Sequence, residues 1–209
     1  MNNSVTRAGE VWKRMKPFAL KDMQSMINSS KSGGGDSEGY MIILYAKTSE
    51  KMRIYSATEA GLNAALAAAV SGDAVFLPAC TISGNQSVPD GVSLVGIDRK
   101  RCVLSGRITM GMNSALGEVS VTRSGSSSSM SGVVLDNGGA RLFDCIVSVT
   151  NSGGDAYGVL ANEGVVGYAD DCIVSATGSG DGYGYYASKS EIHVQGGSAD
   201  GSTAPVGGE

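Results

Sequence analysis

Asp144, Asp170 and Asp171, with Arg141 three residues before the first, are the group in this chain whose types and spacing best suit chemistry. Clustered carboxylates suit a hard cation such as calcium, and an arginine beside them can serve acid–base work. Each of these aspartates also precedes a short apolar run, where a solvated turn residue is ordinary. That plainer reading is preferred, so no catalytic residue is assigned. Asp155 and Asp181 are a second pair to weigh, since a glycoside hydrolase needs two carboxylates roughly 5 to 9.5 Å apart. Both sit in Gly-rich turns, and no pair stands out as catalytic. Tyr157, Tyr168, Tyr183, Tyr185 and Tyr186 are candidates for an aromatic face on which a sugar would stack, with some of them expected instead in the core or in subunit contacts.

Other chemistries find little support. Cys80, Cys102, Cys145 and Cys172 are too widely spaced for a zinc knuckle, and His193 is the single histidine, so the cysteines read as small buried hydrophobes and no metal or other cofactor is assigned. The Ser-rich stretch 123–131 has no nucleophile elbow and reads as a loop. A net charge of −4 and a pI near 5.0 give no global basic field, which disfavours nucleic acid as a partner. No apolar run approaches the roughly 20 residues of a membrane-spanning helix, and Val11–Ile27 is too polar for a secretory signal, so no membrane insertion and synthesis in a cytoplasm are expected.

The elements that would carry these residues are mostly short strands. The chain has 209 residues, 31 of them Gly, with Val/Ile/Leu runs separated by Gly, Ser, Asn and Asp. Asp144–Ser148 (DCIVS) recurs as Asp171–Ser175 at an offset of 27, and Asp155-Ala-Tyr-Gly is echoed by Asp181-Gly-Tyr-Gly at 26. A period in the twenties with several strands per repeat is one coil of a solenoid, whose apolar face is buried only against its neighbours. Stacked coils would place Asp144 near Asp171 and Cys145 over Cys172, with Asn137 and Asn162 forming a turn ladder.

Before the repeats, residues 56–72 read as a capping helix from about Thr58 to Ser71. It has Ser56 or Thr58 as N-cap, Gly72 at the stop, and Leu62, Ala65, Leu66 and Ala69 as its apolar stripe. Residues 40–55 read as a β-hairpin. Its first strand, Met41–Leu44, is apolar on both faces, and a neighbouring subunit is one way to cover it. Residues 32–39 read as a Gly/Ser linker. Residues 1–31 are locally basic and carry Trp12, Met15, Phe18 and Met23 at spacings that suit short amphipathic helices around Pro17, hence a docking or oligomerisation segment.

The stretch Leu62–Ile97, LNAALAAAVSGDAVFLPACTISGNQSVPDGVSLVGI, resembles the N-terminal module of pectate-lyase-like β-helix proteins: an Ala-rich helix, Ser-Gly-Asp, a strand ending Leu77-Pro78-Ala79, then Gly91-Val92-x-Leu94-x-Gly96. Cys80 stands where that family often has Gly. The resemblance is greatest to bacteriophage and prophage tail fibres and tail spikes. It implies an all-β fold, a right-handed single-stranded parallel β-helix with an N-terminal capping helix, over residues 56–209. It further implies a homotrimeric structural virion protein at the phage tail or particle surface. Such a protein would attach to other virion proteins through its N-terminus and present the β-helix to host surface polysaccharide. The same scaffold also carries polysaccharide depolymerases. A lyase of the pectate type would need acidic Ca2+ ligands and a basic residue, for which Asp144, Asp170, Asp171 and Arg141 are the candidates. A non-viral carbohydrate-binding or adhesion module is the third reading. Because no C-terminal cap is evident, the last coil is expected to need a partner or to tolerate an open edge.

Overall fold

A computed structural model describes residues 41–208 of the chain, and these form a stack of parallel β coils preceded by an antiparallel hairpin and one helix. The docking segment 1–31, with Trp12, Met15, Phe18 and Met23, and the linker 32–39 lie outside the described residues.

The hairpin pairs β1 (Met41–Ala46) with β2 (Lys51–Ser56), Met41 opposite Ser56 and Ala46 opposite Lys51. Helix α1 (Glu59–Ala68) follows; its N-cap is Thr58, whose side-chain oxygen accepts the Gly61 N–H at 3.1 Å. The helix stops three residues short of Ser71 because Asp73 draws the chain out of it. The buried Asp73 carboxylate accepts the N–H of Val70 at 3.1 Å and of Lys47 at 3.0 Å, so Ala69 is already extended. Leu62, Ala65 and Leu66 of α1 share one apolar cluster with Ile42 and Leu44 of β1. That face of the apolar strand is therefore covered by its own chain, not by a neighbouring subunit. On the other face Ile43 lies in register with Phe76, and Phe76 with Val95; all three are buried.

Six strand triplets follow. The first coil is β3 (Ala74–Leu77), β4 (Thr81–Ser83) and β5 (Gln86–Val88); the second is β6 (Ser93–Gly96), β7 (Val103–Ser105) and β8 (Ile108–Met110). The third is β9 (Ala115–Gly117), β10 (Ser120–Gly125) and β11 (Ser129–Leu135); the fourth is β12 (Arg141–Phe143), β13 (Ile146–Asn151) and β14 (Asp155–Ala161). The fifth is β15 (Val166–Asp170), β16 (Ile173–Gly178) and β17 (Gly182–Ala187); the sixth is β18 (Glu191–Gln195), β19 (Ser198–Gly201) and β20 (Ala204–Gly208). The first strands of the coils make sheet A, which β1 and β2 extend; the second strands make sheet B and the third strands sheet C. Pairing between coils is parallel throughout, so the chain is a parallel β-helix.

Register makes the core a set of vertical ladders. In sheet A, Val75, Leu94, Leu116, Leu142 and Ala169 stack inward in turn and are buried. The next residue in that ladder, Val194, is 47% exposed, and Val206 at the same level of sheet C is 63% exposed, because no described coil stacks beyond them. A further ladder runs down the A–B corner. Successive backbone bonds link Val103 N–H to Cys80 O, Ser120 N–H to Cys102 O, Ile146 N–H to Val119 O and Ile173 N–H to Cys145 O, so all four cysteines share one column with Val119. Their thiols are free; Cys102, Cys145 and Cys172 are buried and Cys80 is half-buried. The turn ladder near Asn162 differs from the expected one by a residue. Leu135 pairs with Ala161, so Asn162 meets Asp136, not Asn137, and donates to its carboxylate at 2.6 Å.

Candidate functional site

Asp144 and Asp171 occupy the same A–B corner on consecutive coils, each with φ in the left-handed region, 51° and 52°. Glu118 precedes them at 53° and Gly196 follows at 67°. The corner needs a positive φ, which Asp tolerates better than most residues. This backbone requirement is what makes DCIVS recur.

The acidic residues do not assemble a calcium site. Arg99, from the longer corner of the second coil, reaches down the column: its Nη1 lies 3.7 Å from Asp144 Oδ1 and 3.4 Å from the Asp171 carbonyl. The Asp171 carboxylate packs against Gly196, where an added Cβ would come within 2.1 Å of Oδ1. Asp170, one residue earlier, faces outward from sheet A with its Oδ2 3.8 Å from Nε of Arg141. Among the described residues no three His, Cys, Asp or Glu side chains converge closely enough to hold a metal ion. Arginines therefore stand where calcium would be needed, and Arg141, engaged with Asp170, is poorly placed to act as a base. The residues do not fit the lyase arrangement.

Register takes Arg141 to Tyr168 and Tyr168 to His193 up the outer face of sheet A. The guanidinium carbon sits 5.3 Å from the Tyr168 ring centroid, and the His193 ring stacks on its neighbour at 5.3 Å with 20° between planes. His193 Nε2 lies 3.3 Å from Glu191 Oε2. Tyr168 thus belongs to a different face from the other tyrosines, and the grouping of Arg99 and His193 with these residues was not anticipated from the sequence. Contacts that join residues one to three coils apart leave no local signal; only the register reveals them.

Tyr157, Tyr183 and Tyr186 come together on the outer face of sheet C. Tyr157 and Tyr183 are register partners, their rings 6.1 Å apart and 9° from parallel. Tyr186 leans across both, 4.9 Å from Tyr157 at 56° and 5.2 Å from Tyr183 at 50°. Tyr185 does not join them. It points into the core, 2% exposed, in the ladder Gln86, Ile108, Val133, Val159, Tyr185, and is a packing residue. Strict alternation would have paired Tyr183 with Tyr185. The strand bends at Gly184 against Gly158, where an added Cβ would meet the Gly184 carbonyl oxygen at 2.5 Å, and both Gly184 and Tyr185 turn inward.

Two carboxylates flank the cluster at the B–C corner. Asp155 Oδ1 accepts the Asp181 N–H at 2.9 Å, its Oδ2 accepts from the Tyr157 hydroxyl at 3.4 Å, and Thr203 Oγ1 donates to Asp181 Oδ1 at 3.2 Å. The turn beneath is locked by Asn151, which is buried and donates to the carbonyls of Ser127 at 2.8 Å and Asp155 at 2.7 Å. Burial, and then the charge of Asp155, push the Tyr157 phenol up to about 12, so its hydroxyl remains a donor at any physiological pH.

No protein-family model, no curated protein and no solved structure matches this chain. The class it belongs to, a parallel β-helix, rests on its own pairing pattern.

Proposed function

We propose that this chain is a structural, non-enzymatic β-helix of the tail-fibre or tail-spike kind. Its N-terminal segment attaches to a phage particle, and the lateral face of sheet C contacts a polysaccharide on the host surface. The observation that carries the glycan part is the assembly of Tyr157, Tyr183 and Tyr186 on one lateral face beside Asp155 and Asp181. Aromatic faces take the apolar C–H side of a pyranose, and carboxylates accept from its hydroxyls. The virion part is supported by the resemblance of Leu62–Ile97 to such proteins and by the apolar, basic character of residues 1–31. Homotrimerisation is part of the same proposal.

The depolymerase reading keeps one specific observation, the stacking of Asp155 and Asp181 on adjacent coils against the same tyrosines. Each carboxylate already serves a turn, which favours binding over hydrolysis. The test is retention of the full chain on immobilised bacterial surface polysaccharides, compared with Tyr157→Ser and Tyr186→Ser. The reading expects at least one polymer to retain the wild type and to lose its hold on both variants. Equal retention of the variants would move the contact to another face.

A further inference from the structure

The charge around the tyrosine cluster narrows the ligand, on the premise that the cluster does bind glycan. We propose that it takes an amino-sugar polymer carrying free ammonium groups and rejects polyuronates and other anionic glycans.

Asp155 and Asp181 sit one coil apart and, among the described residues, neither is ion-paired. Their hydrogen bonds come from a backbone N–H, a phenol and a threonine hydroxyl, all neutral donors, so both charges stand without a counterion. The tyrosine faces add the negative side of the aromatic quadrupole. An ammonium group laid on this surface gains from both, and a carboxylate is repelled by both. Arg99 lies at the A–B corner and Arg141 on sheet A. Arg107 and Arg123 belong to the second and third coils, where Arg123 Nη1 donates to the Ser131 carbonyl at 2.8 Å, and among the described residues neither forms an ion pair with Asp155 or Asp181.

The geometry further favours a polymer over a small caged cation. With centroids 4.9 to 6.1 Å apart, the rings pack against one another and leave no cage between them. The Tyr183 ring lies on Gly207, where an added Cβ would fall 2.4 Å from its Cδ1, so the ring is held against the neighbouring strand while remaining only half-buried. Two near-parallel rings on consecutive coils repeat along the helix axis, as a linear glycan repeats along its own.

The experiment compares three short oligomers of equal length on the full chain: glucosamine, N-acetylglucosamine and galacturonic acid, respectively cationic, neutral and anionic. The glucosamine oligomer is expected to bind about tenfold more tightly than its acetylated counterpart at low salt, with the advantage shrinking as salt rises and no binding of galacturonate. Asp155→Asn with Asp181→Asn should bring the glucosamine affinity down to the neutral level, because the charge is lost while the amide oxygen placed at position 155 can still accept the N–H of residue 181 and its NH2 can donate to the Tyr157 hydroxyl oxygen. Gly207→Ala, which lifts the Tyr183 ring, should weaken the cationic and neutral oligomers together. Galacturonate binding as tightly as glucosamine would overturn the charge selection while leaving glycan binding intact. A glucosamine preference that survives in the double Asn variant would overturn the assignment to these carboxylates. Binding of none of the three overturns the inference, and the polysaccharide panel then decides separately whether the face binds glycan at all.

Discussion

Asp171 repeats the backbone conformation of Asp144 one coil later, φ 52° against 51°, at a corner that every coil from the third onward turns with a residue of positive φ. The aspartate is there for the turn. Asp171→Asn or Asp171→Gly should therefore leave stability nearly unchanged, and Asp171→Val should cost about 1–2 kcal/mol, since a β-branched side chain resists this region. Urea unfolding measures both. In the same assay, excess calcium is expected to leave the midpoint where it is; a calcium-dependent rise lost in Asp171→Asn would restore the lyase arrangement.

Gln86 is buried in the first coil with both amide atoms unpartnered, at the head of a ladder otherwise made of Ile108, Val133, Val159 and Tyr185. An unmet buried amide costs about 1–3 kcal/mol, so Gln86→Leu should raise stability by that order. The Tyr185 hydroxyl is likewise buried and unpartnered, and Tyr185→Phe should be neutral or slightly stabilising. Tyr185→Ala should cost about 3–5 kcal/mol through the cavity it leaves. Thermal melts of the three variants check the set.

Tyr157 gives the fold an alkaline limit. Its phenol titrates near 12 in the folded chain against an ordinary value of 10, with burial the larger cause and Asp155 the next. A raised pKa means that the folded state holds the proton more tightly, so the contribution is fully present below pH 10 and is lost as pH climbs through about 12. Ultraviolet titration of phenolate should count one fewer late-titrating tyrosine in Tyr157→Phe, with buried Tyr185 still titrating late, and should show the Tyr157 phase moving earlier in Asp155→Asn.

Two exposed valines on the last described coil bear on assembly. Val194 and Val206 continue core ladders yet stay exposed on the last described coil. Light scattering of the full chain should give the mass of a trimer, and a chain beginning at Tyr40, which keeps β1 and its buried Ile42 and Leu44, should give a smaller species if the N-terminal segment drives assembly. A monomer in both forms would remove the oligomeric part of the proposal.

Much of the fold was legible because one physical constraint wrote itself twice. DCIVS places a left-handed corner, a buried corner thiol and an inward valine in five residues, and its recurrence at 27 gives the pairing of Ile146 with Ile173 and Val147 with Val174. The helix end was less legible, because the Asp73 carboxylate that stops it acts from beyond the apolar stripe. Least legible was the site. Whether Tyr185 or Tyr186 faces out depends on the bend at Gly184, which shifts the alternation by one, and the bracing of Asp144 by Arg99 spans two coils.

The most direct test of the central claim is affinity electrophoresis of the full chain through gels containing bacterial surface polysaccharide, with new reducing or unsaturated ends assayed in the same polymer. Binding without cleavage predicts retarded migration, loss of retardation in Tyr186→Ser, and no new ends. Accumulation of ends that stops in Asp155→Asn or Asp181→Asn would make the protein a depolymerase, and migration unaffected by any polymer would contradict glycan contact altogether.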